Sequence, residues 1–271
     1  SEMCIRDSRM GNRDMTGDMA QAQLPVVYAE QDGVLYNEMH GYVEDMDGAS
    51  MRDSVIGVSE DHKVGLALEK YNAQIKSVSY EVRSLDMSRL IEGGDDLQAE
   101  DDGKYLHVSL TLKDLLTQGE EYLLVLKVQT EDQDLVRFYS ILTYLGTNHV
   151  QDCVDFAQRF HEMTLTGDSD GVLNYLEQDG SMDGKNLGYI NIHSRSGPVT
   201  WGDMQVVETG ETSLRFTELE SDITALTMEY QVTNTETSEQ YQVREAYRLR
   251  YTSTRIYLLA YAVSYTHLTL P

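Results

Sequence analysis

From Leu24 onward the apolar residues fall into short, alternating runs broken by Gly, Asp and Asn, which is the pattern of strands joined by tight turns. The spacing predicts strands over Leu24–Ala29, Val64–Leu68, Gln74–Arg83, Lys104–Lys113, Tyr122–Thr130 and Leu135–Leu145. Pro25 has no backbone donor, so the first run reads as an edge or a strand start. In Gln74–Arg83, Val78, Tyr80 and Val82 alternate with Ser77, Ser79 and Glu81, which turns one side of that strand toward a core. The 18 tyrosines suit such a chain, because the phenol ring tolerates a half-exposed pleated surface.

The most specific local pattern lies in Asp114–Val128, DLLTQGEEYLLVLKV. Leu116, Gly119 and Tyr122 lead into Leu124, Leu126 and Val128 on one face of a strand. This arrangement resembles the turn into strand F of fibronectin type III and immunoglobulin-like domains, with Gln118 where those domains usually carry Pro. The resemblance implies a β-sandwich over residues 22–146, with the Tyr122 hydroxyl bonded back to the backbone at the corner. It implies a spacer or binding module and brings no catalytic residue.

The second half has a different period. In Asn148–Leu165, Val150, Cys153, Val154, Ala157, Phe160 and Thr164 share one helical face, and Gly167 follows where a left-handed residue ends a helix. A short helix at Ser169–Leu176 is expected next, then strands over Leu187–His193, Met204–Val207, Ser213–Leu219, Ile223–Asn234, Gln240–Tyr251 and Arg255–Ala262. Short polar turns join the last of these into an antiparallel meander. The order in Val154–Leu176 and Tyr241–Ala262 resembles nuclear-transport-factor-2-like, cystatin-like folds, which implies a concave sheet around a pocket. The expected fold class is therefore mainly β with α+β. An N-terminal immunoglobulin-like sandwich at 22–146 is followed by an α+β domain at 147–262, with one main helix packed on a meander sheet.

Residues 1–8, SEMCIRDS, and 263–271, VSYTHLTLP, resemble translated adapters of transposase-based sequencing libraries, in opposite orientations at the two ends. On that resemblance both are set aside as artefacts, and polar residues 9–21 read as a spacer. Cys153 is then the sole cysteine, so an intramolecular disulfide and a cysteine metal cluster are excluded, and its place on the apolar stripe predicts a buried, inert thiol. An anchor or export signal upstream of Arg9 is expected, with a cytoplasmic start as the alternative.

Asp and Glu number 46 against 21 Lys and Arg, a formal charge of −25 that repels phosphate backbones and anionic membranes. No nucleic-acid partner is expected. The acidic run Glu92–Asp102 reads as a solvated hairpin or loop, with a calcium site as the alternative. Asp179–Gly184 begins like a calcium loop, but Ile190 stands where the bidentate Glu belongs, and an Asp/Gly turn is the simpler reading. His161-Glu162 lacks the second His of a zinc-protease helix, since position 165 is Leu, so His161 reads as a surface residue.

Within Asn191–Asp203, His193, Arg195, Trp201 and Asp203 gather around Gly197-Pro198 and are the candidate ligand-binding residues, as the mouth of a pocket; a structured connection is the alternative. No catalytic residue, metal site or cofactor is expected. These features point to an extracytoplasmic, envelope-associated binding or interaction protein without catalysis, contacting a protein or glycan partner. A small-ligand binder or enzyme using a pocket in 147–262 is the alternative, and a homodimer through the open sheet face is a third reading.

Overall fold

The computed structural model describes residues 24–166, apart from 96, 114–115, 133 and 148, together with residues 206–268. The chain is mainly β, with an α+β layer in its second half. Among the described residues ten strands precede the helix: β1 (Val26–Gln31), β2 (Val34–His40), β3 (Val55–Ser59), β4 (Lys63–Glu69), β5 (Ile75–Ser84), β6 (Leu90–Gly94), β7 (Gln98–Asp101), β8 (Tyr105–Thr111), β9 (Glu121–Thr130) and β10 (Leu135–Gly146). They form two five-stranded sheets, ordered β2-β1-β4-β8-β7 and β3-β10-β9-β5-β6. Among the described strands only β3 and β10 pair in parallel.

The two sheets enclose an apolar core in which Leu66, Leu68 and Leu110 of the first belong to one cluster with Val82, Leu124, Leu126 and Phe138 of the second. β9 reads as an almost unbroken apolar run because both its faces are covered. Leu123 and Val125 turn away from that core and pack with Tyr139 beneath Met46, Met51 and Met87. The corner expected at Tyr122 forms, with the Thr117 backbone N–H donating to its hydroxyl oxygen at 2.7 Å. Gly119 takes φ of 81°, a turn conformation that costs a glycine little.

The described residues of the second half form α1 (Val150–Thr166) laid on the sheet β11 (Val206–Leu219), β12 (Ile223–Asn234), β13 (Gln240–Tyr251) and β14 (Ile256–Leu268), in that spatial order and antiparallel throughout. Val150, Cys153, Val154, Ala157 and Phe160 are all buried, as the stripe requires. Phe160 meets Tyr261 and Tyr247 at centroid distances of 4.7 and 5.8 Å. Burial pushes the Cys153 thiol up to about 11, so at neutral pH it is a packed thiol and not a nucleophile.

Several expectations shift in detail. The described end of the expected strand Met204–Val207 and the strand Ser213–Leu219 meet in one long β11, interrupted by a register shift between Thr209 and Ser213 where Gly210 takes φ of 82°. β14 runs past Ala262, pairing Val263 with Glu245 and Leu268 with Gln240, so described residues of the adapter-like segment lie in a regular strand. The acidic run Glu92–Asp102 is not a self-contained hairpin: β6 pairs with β5 in one sheet and β7 with β8 in the other. Glu92 faces inward, where its carboxylate accepts the Lys113 N–H and the Tyr80 hydroxyl.

A side chain joins the sandwich to the meander sheet. β2 carries a bulge opposite Val27/Ala29, and Asn37 sits in it at φ of 55°, fully buried. Asn tolerates this left-handed conformation better than most residues. Its Oδ1 accepts the Phe216 N–H of β11 at 2.6 Å, and its Nδ2 donates to the Val55 carbonyl at 2.8 Å. The amide thus takes the place that a neighbouring peptide would occupy along the β11 edge. Beside it Arg215 donates to the backbone carbonyls of Asp53 and Glu38, and Tyr36 meets Phe216 edge-on at 5.0 Å. One apolar cluster runs through this junction from Val27 to Tyr261.

Candidate functional site

Where the first sheet meets β11, the junction leaves an open cleft of about 660 Å³. The sandwich contributes Tyr28, Tyr36, Glu38 and Tyr105; the meander sheet contributes Thr209–Leu214, Glu229, Gln231 and Gln242. Local sequence explains each wall. The bulge at Gly210 swings Glu211 and Thr212 out of the ladder. In β12, Glu229 and Gln231 alternate with the buried Met228, Tyr230 and Val232, so they project from the face opposite the helix. Glu38 follows the bulged Asn37 directly.

The cleft is acidic, and no Lys, Arg or His is among its described lining residues. Burial first, and then the charges of Glu38 and Glu69, hold the Tyr28 hydroxyl well above its usual pKa, and it donates to Glu69 at 3.3 Å. Cations stand at the margin. The Lys104 ammonium lies 5.2 Å from the Tyr105 ring centroid and 3.7 Å from Glu69, while Arg244 approaches Glu229 at 3.8 Å.

Two histidines sit between pairs of carboxylates elsewhere in the fold. On the outer side of the first sheet His107 meets Glu30 through Nδ1 at 2.8 Å and Asp102 through Nε2 at 2.7 Å. Beneath α1, His161 meets Glu245 of β13 through Nδ1 at 2.9 Å and Glu208 of β11 through Nε2 at 3.1 Å. The Tyr261 hydroxyl donates to the other oxygen of Glu245 at 2.5 Å, and Thr212 donates to Glu208. His161 is buried, which corrects its reading as a surface residue. It follows Ala157 by four positions and so flanks the apolar stripe. The alternation Val243, Glu245, Tyr247, Leu249 carried the matching signal, an acid on a core-facing row that needs a partner. Neither cluster forms a metal site, and no group of three or more His, Cys, Asp or Glu among the described residues has the arrangement to hold a metal ion.

The sequence candidates His193, Arg195, Trp201 and Asp203 lie outside the described residues, as do Ser169–Leu176, Leu187–His193 and Asp179–Gly184. No protein-family profile and no curated protein matches the chain. Among solved structures the chain is similar to the crystal structure of CopC from Methylosinus trichosporium OB3b. The identity is 17%, the match covers 39% of this chain and 93% of that one, and the TM-score is 0.25. No helix among the described residues is long and apolar enough to cross a membrane.

Proposed function

We propose that this chain is an extracytoplasmic binding protein of the cell envelope, without catalytic activity, that takes a glycan segment into the cleft between its sandwich and its helix-covered sheet. Treating residues 22–146 and 147–262 as two units, and the attachment of the chain to the envelope by a segment upstream of Arg9, are parts of the same proposal. The cleft carries it. Its volume falls in the range of small-molecule sites, and its tyrosines offer amphipathic rings beside Gln, Ser and Thr groups that exchange hydrogen bonds with hydroxyls. A cleft built this way needs no residue change of state to hold a sugar, which suits binding better than turnover.

The test is isothermal titration calorimetry of the full chain against a panel of neutral and charged oligosaccharides, repeated with Tyr105→Ala. Saturable binding to a member of the panel, weakened at least tenfold in the variant, is the expected result. A panel without a binder, or a binder indifferent to Tyr105, overturns the reading.

A further inference from the structure

The cleft's charge says more than its shape. Resting on the glycan reading above, we infer that the bound glycan carries free amino groups: the cleft is built for a de-N-acetylated amino sugar whose ammonium groups pair with Glu38, Glu211 and Glu229.

Three observations carry this. First, those three carboxylates share one cleft of about 660 Å³, and none of its described lining residues is a cation. A neutral sugar offers these acids only neutral hydrogen bonds, whereas an ammonium gains charge-assisted ones. Second, the chain already seats an ammonium of its own at the rim. Lys104 lies over the Tyr105 ring with Glu69 beside it, and its proton affinity is raised by Tyr105 first, then by Glu69 and Glu211. The aromatic-plus-carboxylate surround that holds Lys104 is the chemistry that recognises organic ammonium groups. Third, two of the lining acids are paired only through open, exposed contacts. Arg244 approaches Glu229 at 3.8 Å with both side chains about half exposed, and His40 reaches Glu38 at 3.4 Å from a side chain that is 73% exposed. Pairs this open are loosely held and exchange readily with an incoming cation.

The decisive comparison uses two probes with the same rings and linkages, glucosamine tetrasaccharide and its fully N-acetylated counterpart, titrated into the full chain at low and high salt. The expected result is at least tenfold tighter binding of the amino form, a preference that shrinks with salt and is lost in Glu38→Gln/Glu229→Gln. Glu60→Gln/Glu131→Gln, which removes two exposed acids away from the cleft, controls for the general pull of a chain with charge −25 and is expected to keep the preference. Equal loss in both double variants reveals unspecific attraction and overturns the inference. If the N-acetylated probe binds as well or better, the inference falls while the glycan reading stands. If neither probe binds, and the wider panel also fails, the glycan reading falls with it. A simple diamine that binds as tightly as the amino tetrasaccharide overturns the assignment to a sugar.

Discussion

His107 and His161 are the same device in two settings. Each imidazole bridges two carboxylates at hydrogen-bonding distance, and in each the carboxylates raise the histidine pKa. For His107 the Asp102 hydrogen bond is the largest influence. For His161 burial is the largest and works the other way, yet Glu245 and Glu208 outweigh it. The side chains differ in exposure, 31% against 8%, and Glu245 is 1% exposed. Solvent replaces a lost partner at His107, whereas nothing replaces one beneath α1. The contrast teaches that the cost of breaking an ion cluster is set by what remains behind, more than by the bonds that are cut.

The largest effect should come from His161→Leu, which leaves the buried Glu245 carboxylate with its Tyr261 hydroxyl donor but without the imidazolium. Urea denaturation is expected to show a loss of about 3–5 kcal/mol, the usual cost of an uncompensated buried charge. A loss below about 1 kcal/mol would show that Glu245 takes up a proton or finds water. Next stands a buried but neutral group, Asn37. Asn37→Ala removes the amide that serves Phe216 and Val55 and should cost about 2–3 kcal/mol by the same measurement. Asn37→Gly relieves the left-handed backbone but restores no hydrogen bond. If it recovers full stability, strain and not the amide governs the junction.

The third comparison is pH dependence. A histidine with a raised folded pKa contributes stability below its ordinary value of 6.5, and that contribution is lost as pH rises through the folded value. Unfolding free energy should therefore fall over the window upward from about 6.5, and in His161→Gln much of that slope should vanish. A slope unchanged in His161→Gln but removed in His107→Gln would reverse the ranking of the two clusters. The smallest effect belongs to His107→Ala, whose urea midpoint should match that of the parent at high salt and differ only slightly at low salt.

The fold was legible where local chemistry decides it. β12 and β13 match their expected bounds because Ser238, at φ of 60°, and the Asn234 side chain build the turn between them from residues the sequence displays. The tyrosine corner and the helical stripe follow the same rule. β2 escaped because the buried Asn37 interrupts its alternation, and its reason for being there is Phe216, far away in sequence. β3 is a short buried run with a central Gly, which period alone does not separate from other apolar segments. The cleft was not legible at all. Tyr28, Glu38, Tyr105 and Glu229 come from four strands, and only the junction between sandwich and sheet brings them together.

The acidic run has a consequence beyond the monomer. Among the described residues β6 and β7 are each the last strand of their sheet, so together they form one outer border of the sandwich. A free border is a template on which another chain can add strands. β7 is exposed throughout and ends in Glu100 and the Lys70-paired Asp101, so a copy approaching along this border meets charged side chains beside the hydrogen-bonding groups. The segment that looked least like structure thus lines with charge the border where strand addition would otherwise be easiest.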